Sequence, residues 1–375
     1  RNGFIMSSMR NNTMLALLLA AAATASAQDT IRVRDKDGKI SEVAGGPEVV
    51  VLTSKSLEYE IEVGNTRAKQ PLDARTVVEI VPDANGRTFD YNQGEQAFNN
   101  GDMDDAIVRF DRVRKDQRAR ELLRQLAAIY QVRAHWAKGD AAGTIQAARS
   151  LRQERPDGFF VRESFVLEVK GHLAKNDANG ASSALQQFEE KGRSDGMTEW
   201  AKSAEIMKGG VLELQGKHRE ALAIHRKYVR DREVGDDATM GELRCLTAIG
   251  DVAGAASRGE SILSEHKNKK DANPRLLMGA YNARGEAHLK AGKIKDALFD
   301  FLQGVMVLSK GQDSSPEHEA ALAGGTIACA KLAMAEKDKK DTYKERAQQL
   351  LSDLQKYYPA SRLQKDAQAA VQSIK

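Results

Sequence analysis

Two cysteines in 375 residues are too few for a disulfide framework, and a chain this long can bury a core without one. Aromatic residues make up only 5% of the sequence. Charge of one sign is missing too: 57 basic residues stand against 53 acidic ones. Leaving out Arg1 and Arg10, which precede the expected cleavage point described below, gives 55 against 53, a net +2. A near-neutral chain has no electrostatic claim on nucleic acid or an anionic membrane. After Ala23 no apolar run approaches the ~20 residues that a membrane-spanning helix needs.

The one apolar run present, Met14 to Ala23, follows Arg10 and ends near Ala25-Ser26-Ala27. A positive start, a short apolar core and an A-x-A end predict a secretory signal peptide over 1–27, cleaved before Gln28. The expected location of the mature chain is therefore the periplasm or the cell exterior, with no membrane insertion after cleavage.

From Gln28 to Asp83 the pattern has period two. Ile31–Arg34, Lys39–Val43, Val49–Leu52, Leu57–Val63 and Thr76–Val81 read as five strands, with Asp37-Gly38 as a hairpin turn. Gly64 and Pro71 read as loop residues. This predicts a small all-β module over 28–83. The runs "DKDGKISEVAGG", "KSLEYEIEVG" and "LDARTVVEIV" resemble small SH3-like or Sm-like barrels at the front of exported repeat proteins. Sm-like barrels elsewhere bind RNA, but 28–83 carries eight basic and eleven acidic residues, the wrong sign for phosphate, so no nucleic-acid partner is expected. A capping or docking role suits the module, because a helical array otherwise ends on an exposed apolar face.

Beyond Pro82 the period becomes helical and a unit recurs. Its clearest copy is Tyr281 to Phe301, in which Gly285 precedes Gly292 by seven residues, and Ala297 and Phe301 follow Gly292 by five and nine. Gly94, Gly101, Ala106 and Phe110 keep the same offsets. Further copies turn at Gly139, Asn176, Gly216 and Gly250, with Thr144, Ala181, Ala221 and Ala255 in the alanine place. A seventh is marked by Ala347, Leu351, Leu354 and Pro359, and "YYPAS" (Tyr357 to Ser361) then opens a last helix.

This spacing resembles the tetratricopeptide repeat (TPR), a helix–turn–helix unit of about 34 residues that stacks into a solenoid. The resemblance covers roughly three quarters of the chain. The YP-x-S ending is similar to repeat ends in envelope proteins of outer-membrane assembly or the Tol–Pal system. It implies a mainly α fold over 84–375: a TPR-type helical-hairpin solenoid, a right-handed α-α superhelix of about seven hairpins. Gly94, Gly101, Ala106, Phe110, Gly285, Gly292, Ala297 and Phe301 then serve repeat packing. Cys245 and Cys329 fall on first helices two repeats apart, beyond bridging distance, so two separate buried thiols are expected.

No paired catalytic groups, phosphate-cradling loop or dinucleotide fingerprint is present, and no enzyme activity, cofactor or metal is expected. His318-Glu319 lacks a second histidine four residues on. His218 and His225 share a helix face, with no Cys or carboxylate constellation beside them in sequence. The TPR resemblance implies a concave groove lined by first helices, in which a peptide or protein partner lies. Counting back from the turns places Glu95, Arg133, Lys170, Arg244 and Glu286 there, with Phe98 and Trp136, and Tyr91 is a further candidate for the groove. Arg133, Lys170 and Arg244 would form a basic rail, and Phe98 and Trp136 apolar anchors. The expected function is a non-enzymatic exported scaffold for protein–protein interaction in the cell envelope. The alternatives are a structural component of an envelope complex docked through the β-module, or an enzyme or carbohydrate binder with a dispersed site.

Overall fold

The computed structural model describes residues 28–63, 66–269, 272–307 and 315–374. The expected leader lies outside the described residues. The first part is all-β: β1 (Thr30–Arg34), β2 (Ile40–Glu42), β3 (Glu48–Leu52), β4 (Ser56–Val63), β5 (Thr66–Asp73) and β6 (Val77–Val81). They form two three-stranded antiparallel sheets, β2-β1-β6 and β3-β4-β5. Ile31 and Leu57 are fully buried between them and the helices that follow.

There are six strands rather than five. β5 falls where the sequence reads as loop around Gly64 and Pro71, because TRAKQPLD has no apolar alternation and lies largely exposed on both faces. What makes it a strand is pairing with β4 along its whole length, from Val63 opposite Thr66 to Ser56 opposite Asp73. Pro71 fits because β5 is an edge strand, where a missing N–H can face away from the sheet.

Fifteen helices follow among the described residues, fourteen of them paired as seven hairpins. The hairpins are α1–α2 (Phe89–Asn100, Met103–Lys115), α3–α4 (Glu121–Ala137, Ala141–Glu154), α5–α6 (Val161–Ala174, Ala178–Asp195) and α7–α8 (Trp200–Leu214, His218–Tyr228). They continue as α9–α10 (Gly235–Ala248, Val252–His266), α11–α12 (Pro274–Lys290, Ile294–Val307) and α13–α14 (Pro316–Ala335, Lys340–Tyr357), followed by α15 (Gln364–Gln372). The chain is thus a helical-hairpin solenoid preceded by a small all-β region.

The turns explain the spacing. Gly101, Gly139, Gly216, Gly250 and Gly292 have φ between 73 and 84°, and Asn176 has φ 57°, the left-handed region that stops a helix. Five residues later Ala106, Thr144, Ala181, Ala221, Ala255 and Ala297 are all fully buried, where two helices cross. Four residues further on, Phe110 and Phe301 are fully buried as well. A Cβ on Gly94 would stand 3.1 Å from the Phe110 ring, and one on Gly285 would stand 3.0 Å from the Phe301 ring. These glycines are seats for rings on the neighbouring helix.

An aspartate follows the turn residue in four hairpins, a signal absent from the spacing analysis. Asp102, Asp140, Asp177 and Asp251 cap the second helices by accepting a backbone N–H. In two of them the cap also takes a histidine from the first helix: His135 Nδ1 lies 2.9 Å from Asp140 and His172 Nδ1 lies 2.8 Å from Asp177. Burial works to raise the Asp140 carboxyl, but the Gly143 N–H and His135 outweigh it and hold it below the usual range. The Gly180 N–H, then His172, does the same for Asp177. A carboxyl depressed on folding contributes stability above its unfolded pKa of about 4 and loses it as pH falls through the lower folded value. Asp140→Asn with Asp177→Asn should therefore flatten the acid side of a plot of melting temperature against pH. An unchanged slope below pH ~4 would show these caps contribute nothing.

The β region is fastened to the first two hairpins. Asp29, 2% exposed, accepts from the Val49 N–H at 2.8 Å and the Asp83 N–H at 2.9 Å, and pairs with Arg120 at 2.5 Å. Gln125 donates to the Leu52 carbonyl at 2.9 Å and accepts from the Phe159 N–H at 3.1 Å. This interface covers the apolar side of the leading hairpins, which a solenoid otherwise leaves open. Cys245 and Cys329 are both buried and free, as their separation on different hairpins requires. No helix among the described residues is long and apolar enough to cross a membrane.

Candidate functional site

The first helices α3, α5, α7 and α9 line one wall of a cleft of about 480 Å³. Its other wall comes from the far end of the chain. The end of α14 and the residues after it, Tyr357 to Ser361, curl back so that the Ala360 carbonyl accepts from Asn176 Nδ2 at 2.8 Å, 184 residues away. Tyr358 is held in place by its hydroxyl, which lies 2.9 Å from His318 Nδ1 and accepts from the Ser315 N–H at 3.2 Å. Burial keeps the His318 ring below its ordinary pKa, so it serves as a neutral partner. The solenoid therefore bends until its end meets its third hairpin, and what would be an open groove becomes a partly closed cleft. A second cavity of about 410 Å³ continues it between α9, α11 and α13.

Trp136 and Lys170 both line the cleft. Among the described residues the Lys170 side chain makes no hydrogen bond or ion pair, which leaves an ammonium facing mainly apolar walls formed by side chains such as Leu173, Met207 and Met240. Arg244 also lines the cleft, but its guanidinium is taken: it donates to Glu213 at 2.7 and 3.0 Å and pairs with Glu317. Burial works against both Glu213 and Arg244, and their pairing overcomes it. The Glu213 carboxyl is held down to about 2 by Arg244 and His225, and the Arg244 guanidinium is raised by the two carboxylates. Glu286 lines the second cavity, where burial raises its carboxyl pKa.

The remaining expected groove residues are not brought to the cleft. Arg133 is paired with Glu163 at 2.7 and 2.8 Å and stacks over Tyr130, so the basic rail breaks into one free ammonium and two neutralised guanidiniums. Glu95 is paired with Arg87 at 2.5 Å. Phe98 packs edge-on against Tyr130. Tyr91, placed on the groove by position, is 1% exposed and sits edge-on between Phe110 and Tyr130, so it is core. Position along a helix fixes a face, but the opposing element decides whether that face is open.

One constellation was invisible in sequence. Glu213 on α7, His225 on α8 and Cys245 on α9 bring a carboxylate oxygen, a ring nitrogen and a sulfur within 4.8 Å of one another. The expectation that no Cys or carboxylate accompanies His225 is thus corrected: the companions come from the two flanking helices. Burial pushes the Cys245 thiol up to about 12.

Fold and cleft together define a repeat protein of stacked helical hairpins with a β cap at the front and a cleft closed by its C-terminal segment. No family model and no curated protein matches the chain. Among solved structures it is similar to a tetratricopeptide repeat protein from Parabacteroides merdae ATCC 43184, at 12% identity and TM-score 0.46, covering 76% of this chain and 100% of that one. It is similar also to the C-terminal part of a TPR repeat-containing protein from Cytophaga hutchinsonii, at 12% identity and TM-score 0.34, over 74% and 98% of the two chains. A third is the apo form of RapI, at 13% identity and TM-score 0.40, over 76% and 86%.

Proposed function

We propose that this chain is a non-enzymatic exported scaffold that holds a segment of a protein partner in the cleft between α3, α5, α7, α9 and the Tyr357–Ser361 segment. The observation that carries the reading is Lys170, an unpaired ammonium on largely apolar walls of a cavity large enough to bury several side chains. An extended segment with apolar side chains and one carboxylate complements both features, and Trp136 supplies the aromatic anchor. Export rests on the leader read from Arg10 and Met14 to Ala27, and an envelope setting follows from it.

The β region is the alternative contact surface. One side of it is consumed by packing on the hairpins, while β5 keeps an exposed edge with Arg67 and Lys69. Affinity capture from cell-envelope extracts separates the two. Trp136→Ala with Lys170→Ala should abolish recovery of a partner that the unaltered chain retains. Unchanged recovery there, with loss in Arg67→Glu plus Lys69→Glu, would overturn the cleft reading in favour of docking through β5.

A further inference from the structure

We infer that Glu213, His225 and Cys245 form a binding site for one zinc-class divalent cation. The three residues come from α7, α8 and α9, and their ligand atoms lie within 4.8 Å of one another. In a tetrahedral zinc site, bonds of about 2.0–2.3 Å place neighbouring ligand atoms roughly 3–4 Å apart, so the widest separation here has to close by about 1 Å. The site is already shaped. Cys245 is fully buried, His225 is 1% exposed, and the Glu213 side chain is 14% exposed.

His225 is the departure that points to a ligand. It stands nine residues after Gly216, the position that Phe110 and Phe301 hold after Gly101 and Gly292. Its ring occupies the same kind of slot: a Cβ on Gly209 would come within 2.6 Å of it, and one on Gly241 within 2.3 Å. Two hairpins carry phenyl in this slot and three others carry Ala148, Leu185 or Gly259, all of them apolar or without a side chain. Here the ring is an imidazole, with Nε2 2.8 Å from Glu213 and Nδ1 buried without a partner among the described residues. A buried unpaired ring nitrogen has a desolvation cost that phenylalanine avoids.

The donor set selects the cation class. One sulfur, one nitrogen and one oxygen suit zinc and its neighbours, whereas calcium and magnesium take oxygen alone. Charge also balances: a Cys245 thiolate and the Glu213 carboxylate neutralise a dication, while Arg244 retains Glu317 as its counter-ion. Arg244, donating to both Glu213 oxygens, then orients the ligating carboxylate, the part that outer-shell partners play at metal sites. Three protein ligands leave a fourth position, and both His225 and Arg244 border the cleft.

The full chain, stripped with chelator, should take up one equivalent of cobalt(II) and develop a thiolate-to-cobalt charge-transfer absorption that added zinc abolishes. Zinc should also raise its melting temperature, because a ligand of the folded state stabilises by mass action. His225→Phe installs the ring that two other hairpins carry, so it should fold and yet lose both effects. Cys245→Ser should lose the charge-transfer absorption, and it decides the matter should His225→Phe not fold. Failure to take up stoichiometric cobalt, or uptake undiminished in both variants, would overturn the proposal.

Discussion

Arg244→Met is expected to lower the free energy of unfolding by about 3 kcal/mol, the lower end of the range for breaking a buried ion pair. Arg244 links Glu213 and Glu317, carboxylates that are 14% and 1% exposed. Methionine fills the volume of the stem but leaves both anions with less than their due. The loss stays at the low end for two reasons. The Arg244 side chain is 32% exposed, towards the cleft, and Glu317 keeps Arg275 at 3.3 Å while Glu213 keeps His225 at 2.8 Å. Urea unfolding followed by circular dichroism measures it directly. A change below about 1 kcal/mol would mean that water, rather than Arg244, satisfies these carboxylates, as at an exposed pair. Adding Glu317→Leu should recover part of the loss, because removing both members of a buried pair avoids leaving a lone charge.

Phe301→Ala should be more damaging, at about 3–5 kcal/mol, as for other buried phenylalanines. The ring is fully buried and lies between two glycines on different helices. A Cβ on Gly285 of α11 would reach within 3.0 Å of it, and one on Gly324 of α13 within 2.4 Å. Neither glycine has a side chain that can swing into the vacancy, so the cavity persists unless the helices themselves close up. Thermal unfolding of the variant tests this. A shift equivalent to less than about 1 kcal/mol would show that the helices close up, and that the glycines are not rigid seats.

These two residues also mark how far the sequence could be read. Phe301, Gly285, Gly292 and Ala297 were legible because their roles are local: a left-handed turn, a close crossing and a ring at a fixed offset recur whenever the unit recurs. Arg244 was legible only as a helix position. That it joins Glu213 and Glu317, 31 and 73 residues away, depends on how the hairpins stack. Lys170 and Trp136 line the cleft, while Tyr91, another groove candidate, went into the core. Nothing in residues 88 to 100 announces the opposing Tyr130. β5 was missed for a related reason: its pairing belongs to β4, and its own side chains carry no signal. The spacing between turn residues varies from 34 to 42, so stacking geometry cannot be extrapolated from one hairpin to the next.

What the sequence determined by itself was therefore the unit and its count along the helical part, together with the change from period two to helical period near Pro82. Each follows from backbone and side-chain preferences acting within about 40 residues. The tertiary structure alone decided that the solenoid bends until Ala360 meets Asn176, that the groove becomes a cleft into which Lys170 faces, and that Glu213, His225 and Cys245 converge. The convergence of Glu213, His225 and Cys245 depends on how two neighbouring hairpins stack. The closure of the cleft depends on stacking from the third hairpin to the seventh, which brings residues 184 apart in the chain into contact.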